Sequence, residues 1–212
     1  MSGHVLVGGG TGFIGRHLVK QLTQNGYQVT VASRTGGAGK ISWDDIKQNG
    51  IPDSVNAIVN LGTYFHTADR DPRTIWWTTP IWHTGTFENT WSAGEQILSL
   101  RARTSPEQFQ KDVRSSRIGT AQICAQVCDE RFSAGNPIDT FIQGSAVGYY
   151  HVGEKYANEV YTEESSGGTE GDMAILVREW EAAAKLADEN PTRNGLLDFY
   201  PLSLGYETRS LL

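Results

Sequence analysis

Three glycines near the start of the chain carry the first sign of chemistry. Residues 5–15 read Val-Leu-Val-Gly-Gly-Gly-Thr-Gly-Phe-Ile-Gly, so Gly9, Gly12 and Gly15 recur at even spacing after a short apolar run. An amphipathic segment follows to about residue 24, with Phe13, Ile14, Leu18, Val19 and Leu22 at helical spacing. Strand, glycine turn and helix in this order form a cradle for a dinucleotide. One glycine permits the tight turn, one leaves room for the pyrophosphate, and the last lets helix and strand pack closely. Unpaired N–H groups at the helix start attract the phosphate charge. Glycine-rich turns alone are common, but the flanking strand and helix are the context that the motif requires.

A second pair of residues bears on which dinucleotide fits. Where NAD is preferred, an acidic residue usually stands roughly 20 residues past the glycines and accepts from the ribose hydroxyls. This chain has Ser33-Arg34 there, and no carboxylate follows until Asp44. A guanidinium holds a 2′-phosphate through two parallel hydrogen bonds, and Ser33 can add a third. NADP is the expected cofactor. The plainer alternative is a solvated loop arginine that touches nothing.

These residues need a scaffold, and the rest of the chain alternates as a parallel sheet requires. Residues 27–32, 40–43, 57–61 and 138–146 read as further strands. Residues 104–131 read as one long helix, capped by Ser105 with Pro106 in its first turn and Gln108 completing a capping box. A last helix spans 173–186. The order β-α-β-β-α-β-α predicts an α/β fold, a doubly wound parallel sheet of the NAD(P)-binding Rossmann kind.

Composition narrows the partners. The 212 residues suit one domain with a real core, and 18 basic against 24 acidic residues leave a formal charge of −6. With no basic stripe, neither nucleic acid nor an anionic membrane is expected as a partner. No apolar run approaches the ~20 residues of a membrane span. The first strand begins within four residues of Met1, which leaves no room for a targeting segment and points to the cytoplasm. Cys124 and Cys128 share a helix face and read as buried free thiols. The five histidines are scattered and suggest no metal cluster.

The Gly9-x-x-Gly12-x-x-Gly15 spacing resembles that of extended short-chain dehydrogenases. Further along stand Ser33-Arg34, Ile41-Ser-Trp-Asp44, Val59-Asn-Leu61, Phe109-Gln-Lys, Ser116-Arg117, Gly148-Tyr-Tyr150 and Trp180-Glu-Ala-Ala-Ala184. In that order they resemble the short-chain dehydrogenase/reductase 39U group, an epimerase family of atypical extended members, over residues 1–62 and 104–193. The resemblance implies an NADP-binding Rossmann fold and an NADP-dependent oxidoreductase of undefined substrate, a small carbonyl or sugar-like compound. It places cofactor contacts on the turn (Gly9, Thr11, Gly12, Phe13, Ile14, Gly15) and on Ser33, Arg34, Leu61, Gly62, Asp112 and Arg117. Gly62 stands where the family usually has alanine, and Asp112 where it has glutamate.

The catalytic residues fit less well. Short-chain dehydrogenases normally use Tyr-x-x-x-Lys, in which lysine lowers the tyrosine pKa for proton transfer, with a serine at the end of the fifth strand orienting the substrate carbonyl. Ser145 occupies the serine position, but no Tyr-x-x-x-Lys occurs, and Met173 and Val177 fall where the pair would stand. Tyr149 and Tyr150 remain, either as substitutes or as pocket walls. A tyrosine without a lysine neighbour is a weak acid at neutral pH. The candidate catalytic residues are therefore Ser145 and Tyr149.

Two regions depart from the family. Residues 63–103 hold roughly thirty extra positions with little periodicity, an uncommon length for an irregular segment in a compact domain. Trp76, Trp77, Trp82 and Trp91 lie there. Such aromatic density suits a lid over the nicotinamide, whereas an alternatively spliced or mistranslated segment would read the same way. Residues 194–212 diverge where the family continues into a substrate lobe, although 196–200 retain edge-strand character because Pro201 is tolerated there. The expected organisation is a Rossmann domain over 1–193, interrupted at about 63–103, with a divergent tail and no substrate lobe. Two functions follow: an NADP-dependent oxidoreductase, or a non-catalytic NADP(H)-binding sensor, scaffold or inactive truncated isoform.

Overall fold

The computed structural model describes residues 3–62, 106–150, 159–162, 164–170 and 172–197. These fall into two compact units. One draws on residues 1–63, 117–147 and 180–212 and contains the whole sheet; the other draws on 64–116 and 148–179. The expected irregular insertion, its four tryptophans, the Ser105 cap and the tail beyond residue 197 lie outside the described residues.

The sheet has six strands: β1 (His4–Gly8), β2 (Gln28–Ser33), β3 (Lys40–Ser42), β4 (Ala57–Asn60), β5 (Thr140–Gly144) and β6 (Arg193–Leu197). Their order is β3-β2-β1-β4-β5-β6, all parallel. This is the doubly wound order in which the direction of winding reverses beside β1. All five residues of β1 are buried, as a strand covered on both faces must be. Sequence reasoning set the edge strand at 196–200; it forms at Arg193–Leu197, against β5.

The helices are α1 (Phe13–Gln24), α2 (Trp43–Asn49), α3 (Pro106–Arg114), α4 (Thr120–Ser133) and α5 (Asp172–Ala183). The strand expected over 40–43 ends one residue early, and α2 is an element that the strand pattern concealed. Its signal is a capping box. The Asp45 N–H donates to Ser42 Oγ at 2.9 Å, and the Ser42 N–H donates to the Asp45 carboxylate at 3.4 Å.

The single helix expected over 104–131 is interrupted. A π turn at Ser115–Gly119 separates α3 from α4. Hydroxyls around it donate back three residues, Ser115 to the Asp112 carbonyl, Ser116 to Val113 and Thr120 to Arg117. Such back-bonding competes with the helical ladder and loosens it locally.

In the sheet unit, Leu6, Ile58 and Phe141 from three neighbouring strands pack with Ile46 of α2, with Cys124, Val127 and Cys128 of α4, and with Trp180. Each large apolar side chain buried there contributes about 1.5–3 kcal/mol. Both cysteines are buried and free. Burial pushes the Cys124 thiol far above its ordinary value; burial, with Asp129 adding to it, pushes Cys128 up to about 12. Neither is a thiolate near neutrality, so they act as core residues. Arg131 fixes the entry to β4 by donating to the carbonyls of Asp53 and Asn136, both at 2.9 Å.

His4 opens β1 with both ring nitrogens committed, Nδ1 to Ser54 Oγ and Nε2 to Thr30 Oγ1, each at 2.8 Å. Burial lowers its pKa below the ordinary 6.5. The unfolded chain then binds a proton more readily than the native one, so this stabilisation is whole above pH 6.5 and drains away on acidification. The urea midpoint should fall between pH 7.5 and pH 5.5, and less steeply in His4→Gln. Equal pH slopes for the two proteins would contradict this role for His4.

Candidate dinucleotide site

The C-terminal ends of the parallel strands bring the sequence candidates of the sheet unit to one edge. Gly9–Gly15 follow β1, Arg34 follows β2, Leu61 and Gly62 follow β4, and Ser145 follows β5. In doubly wound sheets this edge, where winding reverses, is where ligands bind.

The three motif glycines have three distinct geometries. Gly9 adopts φ +72°, and a Cβ there would lie 2.7 Å from the Leu61 carbonyl oxygen. Gly15 is buried in α1, and its Cβ would stand 2.2 Å from the Gly9 carbonyl oxygen, inside any permitted contact. Gly12 is the N-cap, in extended backbone, and among the described residues its Cβ would meet only the Gly9 oxygen, at 3.2 Å. Two glycines are thus required by backbone meeting backbone, while the third has only one close neighbour among the described residues. Gly10, outside the motif, is constrained too, by Val31 at 2.9 Å.

The start of α1 is prepared for an anion. No side chain caps it, and its first turn holds no acidic residue. The first N–H groups of a helix have no intrahelical partner, so those of Phe13, Ile14 and Gly15 face the turn with the positive end of the helix dipole. Arg16 adds a guanidinium 5.3 Å above the half-exposed Phe13 ring.

At the end of β2, Arg34 is exposed. The Ser33 hydroxyl donates to the Thr35 carbonyl at 2.6 Å. Asp45 comes closer in space than in sequence, its carboxylate 3.6 Å from where a Gly36 Cβ would be. That carboxylate accepts from the Ser42 hydroxyl at 2.6 Å within the α2 cap.

A buried polar cluster supports Leu61 and Gly62. The Asn60 carboxamide accepts from the Gly62 N–H at 3.0 Å and donates to Gln143 Oε1 at 2.9 Å and Thr120 Oγ1 at 3.1 Å. This explains the glycine at position 62, where a Cβ would come within 2.8 Å of Asn60 Oδ1. Arg117 lies over the Trp180 ring at 5.7 Å, and burial lowers its pKa to about 10. Sequence reasoning missed Asn60, Thr120 and Gln143. A polar Asn and Gln at the ends of otherwise apolar strands were the available signal.

The catalytic candidates do not form a proton-transfer pair of the usual kind. Ser145 is buried, and its hydroxyl donates to the Glu181 carboxylate. Val177, in the lysine position, is buried as well. In the second unit, the Tyr149 ring meets Tyr150 edge-on at 5.3 Å and has Gly167 against its face. Asp112, in that same unit, accepts from Gln108 at 2.8 Å.

Comparison with known proteins agrees with this architecture. Residues 5–73 match the NAD dependent epimerase/dehydratase family. The fold is that of the epimerase family. The chain is 34% identical over 186 residues to the human epimerase family protein SDR39U1, and 32% identical to the mouse protein. Each match covers 88% of this chain and 50% of the relative, so the chain spans about half the length of the curated relatives it matches. The crystal structure of human SDR39U1 (isoform 2) with NADPH superposes with a TM-score of 0.65 at 31% identity, over 91% of this chain and 52% of that one. A nucleoside-diphosphate sugar epimerase from Corynebacterium glutamicum shares the fold, with a TM-score of 0.61 at 23% identity, over 93% of this chain and 34% of that one.

The glycine geometries make a direct test. Gly15→Ala forces backbone apart and should lower stability by about 1–3 kcal/mol, while Gly12→Ala should cost clearly less. Urea denaturation of both variants measures the difference. Equal losses would mean that the turn is not closed as described.

Proposed function

We propose that this chain binds NADP(H) at the β1–α1 turn and serves as the cofactor-binding half of an NADP-dependent oxidoreductase of the epimerase-like kind. The observation that carries the reading is the cradle at Gly12, whose Cβ would meet only the Gly9 oxygen among the described residues, beside an uncapped helix start free of acidic residues. A pyrophosphate fits that donor set, and its charge matches the free N–H groups. Arg34, at the end of β2, is the group that would hold the 2′-phosphate. The similar human protein with NADPH supports the same cofactor. When bound, the reduced nicotinamide supplies a hydride.

For proton handling the reading keeps Tyr149 and Ser145 as candidates. The Ser145–Glu181 hydrogen bond and the buried Val177 favour a second reading, in which the chain binds the cofactor without turning it over. NADPH consumption with a panel of small aldehydes, ketones and nucleotide sugars separates the two. Turnover that falls in Tyr149→Phe supports the enzyme; cofactor binding without turnover supports the binder.

Isothermal titration should show tighter binding of NADPH than of NADH. Arg34→Ala should remove most of that preference, since a hydrogen bond to a charged group contributes ~1.5–3 kcal/mol. Equal affinities for the two cofactors would overturn the assignment of Arg34. Gly12→Val should fold, by circular dichroism, and lose most binding because its side chain fills the pyrophosphate space. A folded Gly12→Val chain that binds NADPH normally would sink the proposed site.

A further inference from the structure

We infer that Gly167 is a positioning residue for Tyr149, and that Arg178 fixes it in that role from α5. The inference deepens the reading of Tyr149 as a proton-transfer group and rests on it for the effect on turnover, whereas the geometry stands without it. All the residues involved belong to the second unit. A Cβ at Gly167 would lie 2.6 Å from Tyr149 Cζ and 2.9 Å from both Cε1 and Cε2. Those three atoms form the end of the ring that carries the hydroxyl. Gly167 does not adopt the left-handed backbone that usually calls for glycine. What requires glycine here is the ring, because bare main chain lies against the phenol where a methyl group would stand.

The peptide after Gly167 is held from two sides. The Gly168 N–H donates to the Tyr149 carbonyl at 2.7 Å, so the segment that meets the ring also binds the backbone that carries it. The carbonyl of Gly168, a buried residue, accepts from Arg178 Nη1 at 3.3 Å. Arg178 directly follows Val177, the residue in the lysine position. The helix that would ordinarily serve the tyrosine with an ammonium group thus reaches it here through main chain. Tyr150 braces the ring edge-on at 5.3 Å and itself stacks on Tyr161 at 5.1 Å. A phenol gripped at its face, its neighbour and its own backbone keeps its aim, and proton transfer depends on aim.

Two measurements test this separately. The first uses the cofactor-free chain and the Gly167 Hα resonances, assigned by their absence in Gly167→Ala. Protons over an aromatic face are shifted upfield, so Tyr149→Leu should return these to ordinary values. Arg178→Gln should lose part of the shift, and Arg178→Lys, which keeps a cationic donor, should retain it. Identical Hα resonances in Tyr149→Leu and the unaltered chain overturn the contact, and a full shift in Arg178→Gln overturns the part given to Arg178. The second is turnover of NADPH with a small carbonyl compound. Gly167→Ala should lower kcat about tenfold and leave the KM for NADPH unchanged, because a misplacement of about 1 Å can cost up to ~100-fold. A folded Gly167→Ala chain with unchanged kcat, or a loss confined to KM, would show a merely structural glycine. Should that variant not fold, Arg178→Gln carries the same comparison, with a fall in kcat that Arg178→Lys restores and an unchanged kcat counting against the inference. If the unaltered chain binds NADPH but turns nothing over, the proton-transfer reading of Tyr149 falls, while the Hα resonances decide the positioning on their own.

Discussion

The region around the end of β1 depends on a steric constraint: backbone touches backbone with no room for a methyl group. Gly15 presses α1 against the Gly9 carbonyl, and Gly9 in turn faces the Leu61 carbonyl at the end of β4. These contacts fix how closely the first helix approaches the central strand, and how closely the neighbouring strand's exit loop approaches both. The position of the helix start follows from them, and with it the direction of its free N–H groups. Asn60 completes the arrangement from below, because its carboxamide occupies the space that a side chain at position 62 would need.

Charge is arranged on that steric frame. The first turn of α1 is left without a cap or a carboxylate, while Asp45, close to the β2 exit, is bonded into the cap of α2. The second arginine, Arg117, is desolvated rather than exposed. One cation, Arg34, is therefore exposed, whereas the other has lost much of its hydration during folding, when the protein's own packing offset the cost.

Much of this was legible in the sequence, because the strongest signals were local. The β1 run, the glycine spacing and the periodicity of α1 lie within about two dozen residues, and each limits its neighbours. The doubly wound parallel sheet followed from alternation and the crossover rule. Signals that were short or competed with others were misread. In Ser42-Trp-Asp-Asp45, an apolar residue after a strand looked like more strand, and the capping pair was overlooked. The continuous helix pattern over 104–131 gave no warning that hydroxyls at Ser115, Ser116 and Thr120 would loosen its middle. Asn60, Gln143 and Thr120 were invisible for another reason: their partnership joins residues as much as 83 positions apart, and no window on one segment contains it.

That same separation bears on the chain between β4 and β5. The two strands pair in register from Ala57↔Thr140 onward, although a long stretch of chain connects them. The entropy of closing a loop grows only with the logarithm of its length, so doubling the connection costs about 0.6 kcal/mol. A stretch already this long can gain or lose tens of residues for a fraction of that amount, provided the new residues do not disturb the ends. Length variation ahead of α3 is therefore inexpensive, and the pairing of β4 with β5 is insulated from it.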